Sequence, residues 1–393
     1  MRVCVLTNIL PPYRIGFYNE LARLTDLHVV LDALSTPDRE WKIDPLSVQF
    51  ECTVSGNRYK AISRPGAGYP GERRFFNFSE RTLPELRRVK PDIVVSAELG
   101  PRTIQAALYA FARNIPLVCF WEGTPHTESR VPAWKRMARR WLARRAHAFW
   151  VNGRESADYA HSLGVPAECV HSGMTGVDTS FFLNEAAGWS DERDAERRRL
   201  GLEGTVFVFS GSLSARKGIV AYLSAMRRFV ERAPEADASF LFIGDGEHRA
   251  DVEAFAREHP RVPVVVTGFV QLAELPRLYV CGDCFVLPTL EDCWPLATLE
   301  PLVCGLPQIF SRYNGAAADL SQWPHAGVSV DPLDTESFAQ RLLDTVSAAP
   351  TPPAARICLD VASYYGPAAQ AQRALASCQR ILSGVQLAPA ALR

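Results

Sequence analysis

Nowhere in the 393 residues does an apolar run approach the roughly 18 needed for a bilayer-crossing helix, so a helical membrane protein is not expected. The opening, MRVCVLTNILPPYRIGF, lacks the small-residue cleavage site of a secretion signal. Its apolar run stops at Pro11 and Pro12 and reads as a first core strand, which points to the cytoplasm. Net charge is zero, and no nucleic-acid-binding module accompanies the basic segments, so nucleic acid is not an expected partner. A Walker-type phosphate loop is also missing. Among ten cysteines only Cys281 and Cys284 have metal-type spacing, and no second pair or histidine cluster completes a zinc site. Several of the ten sit inside apolar runs and read as reduced, buried thiols. Neither a metal nor a cofactor is expected.

What is present is a pattern. Apolar residues at 47% and charged residues at 22% describe a folded globular chain, and the length favours two domains of roughly 180 residues each. Short β-branched runs recur, each followed by a helix-length pattern. They are RVCVLT, LHVVLDA, DIVVSA, PLVCFW, HAFWVN and CVHSG in the first half, then TVFVFSG, SFLFIG, VPVVVTG, CFVLP, PQIF and GVSV. Strands with so little polar alternation suit parallel sheets covered on both faces. Repeated strand and helix predict a doubly wound α/β architecture, here twice. The spacing predicts a first domain over 1–185, a charged linker or short surface helix over 186–203, and a second domain over 204–365. A C-terminal helix and tail over 366–393 would then be free to pack back on the first domain. Two such domains would leave a cleft at the carboxyl ends of their strands, where ligands of open α/β sheets bind. Residues 1–185 hold 24 Lys/Arg against 19 Asp/Glu, and the remainder 19 against 24. That mild asymmetry fits an anionic partner of the first half, or an ordinary surface.

Two stretches carry candidate chemistry. In GDCFVLPTLEDCWPLATLEPLVCGLP (282–307) an apolar strand feeds a loop holding Asp292, and a helix predicted from near Ala297 to Gly305 holds Glu300. The first amides of that helix, from Leu296 and Ala297 to Leu299, lack intrahelical acceptors and would suit a phosphate. Two carboxylates beside such a site would accept hydroxyl groups of a sugar and a ribose. The bland alternative is that Asp292 caps the helix and Glu300 supports its start. In VFVFSGSLSARKGIVAYLSAM (206–226) a strand ends in a small-residue loop through Gly211 and Ser212, with Arg216 and Lys217 at the entry to a helix. Cations are poorly placed at a helix start unless both hold an anion such as a diphosphate; a solvated basic turn is the alternative.

These segments, about 80 residues apart, resemble the retaining glycosyltransferases of family 4. GSLSARKG is similar to that family's phosphate loop, and DCWPLATLE to its pair of acids separated by seven residues. TNILPPYRIGFYNEL, SLGVPAECVHSGMTGVDTSFF and GFVQLAELPRLYVCGDCFVLPT add to the resemblance. It implies a GT-B fold of two Rossmann-like domains facing a cleft, and transfer of a hexose-type sugar, with retention, from a UDP- or GDP-linked donor. Carried onto this chain, it implies that Lys217 binds the donor diphosphate, Asp292 the transferred sugar and Glu300 the ribose. The base would lie at Gly268, Phe269 and Val270. Three positions depart from the family pattern: Ser212 stands for an arginine, Asp292 for a glutamate and Pro295 for a glycine.

On the acceptor side, Glu122 and His126 follow the strand PLVCFW and would orient the acceptor hydroxyl or bond near the reacting sugar. Tyr13, Arg14 and Gly16 follow the first strand. The basic amphipathic helix expected over 132–150 either contacts anionic lipid peripherally, at the inner membrane face, or packs its stripe on the sheet. The acceptor would be a glycan, a lipid-linked intermediate or a small molecule, in polysaccharide, glycolipid or other glycoconjugate synthesis. The other readings are a GT-B epimerase or phosphorylase, or a non-catalytic sugar-nucleotide-binding subunit.

Overall fold

The computed structural model describes residues 1–33, 43–56, 59–63, 73–77, 81–174, 177–348 and 351–383, so the tail expected beyond residue 383 lies outside the described residues. The chain forms two units: Met1–Asp178 with the segment from Tyr364 onward, and Thr179–Ser363.

In the first unit the strands are β1 (Arg2–Thr7), β2 (Asp26–Leu31), β3 (Glu51–Val54), β4 (Tyr59–Ser63), β5 (Arg73–Asn77), β6 (Ile93–Ala97), β7 (Leu117–Trp121), β8 (Ala148–Val151) and β9 (Val170–Ser172). Seven form one parallel sheet in the order β3-β2-β1-β6-β7-β8-β9, while β4 and β5 pair antiparallel by themselves. Alternate strand residues serve opposite faces, as the two-residue period requires. Cys4, Val94, Cys119 and Phe149 join one core, with Leu86, Ala106, Leu142 and Ala160 from the helices over it. Val5, Val95, Val118 and Trp150 join the other, with Phe17 and Leu21 of the helix Pro12–Leu24 and Ala371, Ala374 and Cys378 of the helix Pro367–Leu382. Each valine, leucine or phenylalanine among them contributes about 1.5–3 kcal/mol when fully buried, which is why uninterrupted apolar runs form these strands. The last helix is a full member of this core. Trp150 Nε1 donates to Ser377 Oγ at 2.9 Å, and Arg373 to the Gly173 carbonyl at 3.1 Å.

In the second unit β10 (Thr205–Ser210), β11 (Ala238–Ile243), β12 (Val264–Val266), β13 (Cys284–Leu287), β14 (Gln308–Ser311) and β15 (Gly327–Val330) form a parallel sheet ordered β12-β11-β10-β13-β14-β15. Phe207, Phe240 and Phe229, with Tyr222 and Phe338, interlock as its aromatic core. Strand order reverses between β1 and β6 in the first unit and between β10 and β13 in the second. Those reversals are where open α/β sheets leave a crevice for ligands.

One expectation resolves and another changes. Of the two forms expected for the charged segment 186–203, the helical one is present through residue 200, in the helices Thr179–Trp189 and Arg193–Leu200 joined by a 3-10 turn. Arg193 and Arg197 each reach Asp283 at 2.5 Å and also bond the carbonyls of Val280, Cys281 and Gly282. The basic helix expected over 132–150 runs only from Ala133 to Ala143. Residues 148–150 belong to the fully buried β8, because Phe149 and Trp150 face opposite cores of the sheet. The edge strand β3 and the β4–β5 pair carry too short or too polar a pattern to be read from sequence.

Candidate active site

Most of the residues expected on the donor side gather at the carboxyl ends of β10 and β13. The loop after β10 turns at Gly211 and re-enters a helix, Ile219–Arg232, through Gly218. Gly218 is required there: its φ is +79°, and an added Cβ would lie 1.8 Å from the Pro288 carbonyl oxygen. That close approach seats the loop on the end of β13. Leu290 N–H donates to the Arg216 carbonyl at 2.8 Å, tying this loop to the one after β13. The loop after β11 closes the other side, with Gly211 N–H donating to the Ile243 carbonyl and Leu213 N–H to the Asp245 carbonyl, both at 2.9 Å. Gly244 in turn bridges Gly268, so Phe269 and Val270 follow β12 beside the same row of loops. Phe269 is exposed and Val270 half-buried.

Charge concentrates at the β10–β13 reversal. Lys217 Nζ donates to Asp292 Oδ2 at 2.6 Å, with both side chains largely buried. Arg216 Nη1 donates to the Glu291 carbonyl at 2.9 Å and lies 3.6 Å from Asp292 Oδ2. Ser212 is exposed on the loop, and Ser214 N–H donates to its carbonyl at 2.8 Å. Asp292 is anchored through its backbone, where Gly315 N–H donates to its carbonyl at 3.1 Å.

Glu300 is buried and accepts from the Tyr279 hydroxyl at 3.0 Å. Burial pushes its carboxyl up to about 7, against the opposing pull of the Tyr279 hydrogen bond and the Lys217 charge. Lys217 therefore acts on both acids.

The segment between them is a 3-10 turn, Leu296–Thr298, followed by a five-residue helix, Leu299–Val303, and Gly305 at φ +89°. Thr298 N–H donates to the Pro295 carbonyl at 3.1 Å, so the hydrogen-bonded turn begins only there, after the amides of Leu296 and Ala297. So short a helix has a weak dipole; the side-chain charges dominate this site. Trp294 is buried, its Nε1 donating to Asp319 Oδ2 at 3.1 Å.

In the first unit, Arg14 Nη2 pairs with Glu122 Oε1 at 2.5 Å, and the guanidinium lies over the Phe120 ring, 4.5 Å from its centroid. Asn152 Nδ2 donates to the same Glu122 oxygen at 3.0 Å, and Ser156 Oγ to the Glu122 carbonyl at 2.8 Å. Tyr13 is half-buried at the start of the Arg14 helix. His126 is on an exposed turn whose carbonyl receives Ser129. Gly16 lies where its helix meets Pro367; an added Cβ would come within 3.2 Å of that ring.

Several residues escaped the sequence reading. Tyr279, which holds Glu300, sits 21 positions earlier on a helix with no local signal. Glu98, at the carboxyl end of β6, adopts φ +69° and accepts from Asn8 Nδ2 at 3.1 Å. The small-residue turn after β11, IGDG, was a readable sign of close backbone approach. Among the described residues no group of three or more His, Cys, Asp or Glu could hold a metal ion. Burial raises the Cys284 thiol to about 12 and the Cys281 thiol to about 11.

Two α/β units, each with a parallel sheet whose strand order reverses beside charged loops, set the class of fold, and the comparisons with known proteins place the chain in a family. Residues 17–181 match the family described as Glycosyltransferase Family 4, and residues 204–348 the one described as Glycosyl transferases group 1. The chain belongs to these family 4 glycosyltransferases. It is 25% identical over 275 residues to a sulfoquinovosyl transferase of Arabidopsis thaliana, covering 67% of this chain and 51% of that protein. It is 29% identical over 170 residues to the UDP-Gal:alpha-D-GlcNAc-diphosphoundecaprenol alpha-1,3-galactosyltransferase of Escherichia coli, 43% of each. The chain thus spans about half the length of the curated relatives it matches, or less. The crystal structure of Anabaena HepE in complex with UDP and glucose has the same GT-B fold, at TM-score 0.69 and 15% identity over 95% of this chain and 98% of that one.

Proposed function

We propose that the protein transfers a hexose-type sugar, with retention, from a nucleotide-diphosphate donor to a hydroxyl acceptor. The observation that carries this reading is the meeting of Lys217 with Asp292 at the β10–β13 reversal, 2.6 Å apart. Breaking the anomeric bond leaves negative charge on the departing diphosphate, and Lys217 with Arg216 would stabilise it as it forms. On donor binding, Lys217 would turn from Asp292 to the diphosphate, freeing the carboxylate to accept sugar hydroxyls. Glu300, ionised, would accept from the ribose, and Phe269 and Val270 would flank the base. Leu296 and Ala297 would offer backbone amides, and Gly211 and Ser212 a close-approach loop wall. UDP is the favoured nucleotide because HepE, of like fold, binds UDP and glucose; GDP remains the second choice.

The first unit would bind the acceptor. Glu122, held by Arg14 and Asn152, is the group best placed to orient an acceptor hydroxyl, with Tyr13 and Gly16 beside Arg14 in sequence and His126 four residues after Glu122. The Escherichia coli relative acts on a diphosphoundecaprenol-linked sugar. A lipid-linked glycan is accordingly one acceptor class for this enzyme, with soluble glycans and small molecules as the others. The enzyme would then work in glycoconjugate synthesis in the cytoplasm, at the inner face of the membrane for a lipid-linked acceptor. No described helix is long and apolar enough to cross a membrane.

The test is a panel of UDP- and GDP-sugars screened first for thermal stabilisation, then for diphosphate release with candidate acceptors and for the anomeric configuration of the product. A second reading rests on Ser212, which puts no cation at that loop position. Under it the protein binds sugar nucleotides without turnover, and nucleotide binding with no diphosphate release from any pair would establish it.

A further inference from the structure

We infer that the first unit docks on an anionic lipid surface through the outward faces of two neighbouring helices, Pro101–Arg113 and Ala133–Ala143. Both helices lie over the same face of the sheet, since Ala106 and Leu142 join one core, and they pack against each other. Their opposite sides therefore look away from the first unit's sheet together.

Those sides are unusually apolar. Phe111 is 87% exposed, Met137 70%, Trp134 64% and Leu108 56%, with Ile104 and Trp141 partly exposed beside them. The spacing is helical on both: 104, 108 and 111 on one, 134, 137 and 141 on the other. The second helix touches the body of the unit mainly through Arg139, Leu142 and Ala143; nearly all its other residues are exposed. Isolated exposed apolar side chains are ordinary, but a row of tryptophan, methionine and phenylalanine is not.

The charge beside this row says what covers it. From Ser129 to Arg154 the chain has no acidic residue and carries seven cations between Arg130 and Arg145. Arg136, Arg140 and Arg144 repeat every four residues along one flank of the Trp134–Met137–Trp141 row, and all three are exposed. Arg145 lies over the Trp141 ring at 3.9 Å and Lys135 over the Trp134 ring at 5.6 Å. Amphipathic rings topped by cations match a headgroup layer, where aromatic bodies enter the acyl boundary and cations meet phosphates. A protein partner's apolar patch would leave this line of arginines without counter-charge. Docking here needs nothing from the donor site, so it stands or falls independently of sugar transfer.

The experiment is co-sedimentation of the full chain with phosphatidylcholine vesicles, with and without phosphatidylglycerol, read alongside tryptophan emission. Binding only to the anionic vesicles is expected, weakening as salt is raised, with a blue shift that disappears in Trp134→Phe/Trp141→Phe. Arg136→Glu/Arg140→Glu/Arg144→Glu and, separately, Phe111→Ser/Met137→Ser should each weaken partitioning on the order of tenfold or more. Melting temperatures should stay unchanged, because these side chains are exposed. Absence of binding to either vesicle, or binding untouched by both sets of variants, overturns the proposal. So does a concentration-dependent dimer, lost in Phe111→Ser/Met137→Ser, with no vesicle binding.

Discussion

Lys217 and Asp292 meet at 2.6 Å although 75 residues separate them, one at the end of the β10 loop and the other in the loop after β13. The pair satisfies both charges. Under the proposed function a diphosphate would compete for the lysine and a sugar for the carboxylate, so one ligand would replace both halves of the contact. Arg216, tied to the Glu291 carbonyl, keeps a second cation alongside.

Lys217→Ala should therefore lower kcat/KM by about 10²–10³, a loss typical of removing one transition-state donor. It should also lower the melting temperature, because Asp292 keeps only the more distant Arg216 as a cation. Asp292→Ala should weaken a sugar nucleotide more than the free nucleotide in calorimetric titration. Equal weakening of both ligands would remove its sugar role.

Glu300 predicts a pH signature. Its carboxyl, ordinarily near 4.5, is raised to about 7 by burial. The unfolded chain loses this proton first, so the stability gained by keeping Glu300 protonated is fully present below about 4.5 and lost as pH rises through about 7. Glu300→Gln stays neutral throughout. The variant should gain on wild type between pH 5 and 8 by on the order of 3 kcal/mol, measured by urea unfolding. A difference independent of pH would count against the buried-acid assignment.

If ribose hydroxyls stabilise the Glu300 carboxylate, nucleotide binding near pH 7 must release protons. Titration calorimetry in two buffers of different ionisation enthalpy should show this for wild type and not for Glu300→Gln. Identical buffer dependence in the two proteins would sink the ribose role.

Gly218→Ala should destabilise the protein by about 2–4 kcal/mol, combining a positive-φ penalty with a collision against the Pro288 carbonyl. Loss of nucleotide binding should accompany it, because the same approach seats Arg216 and Lys217. A stable variant with intact binding would mean that the loop does not need this seating.

Much of this protein follows from local pattern. Uninterrupted runs such as RVCVLT and SFLFIG bury both faces, so they became parallel strands wherever they occur. The loop SGSLSARKG and the two acids eight positions apart were visible because glycine, cation and carboxylate are chemically conspicuous in apolar surroundings. What the sequence alone determined is thus the strands of both parallel sheets apart from the edge strand β3, the α/β class, and the residue types in the two loops after β10 and β13. Only the tertiary structure decided which distant groups share one environment. Tyr279 comes to hold Glu300, and burial there, which no sequence window contains, moves the acid's titration. Arg193 and Arg197 look solvated in a charged run yet dock on Asp283. The last helix completes the first unit's core, because burial and Coulomb energy depend on distance in space and a chain this long folds remote segments together.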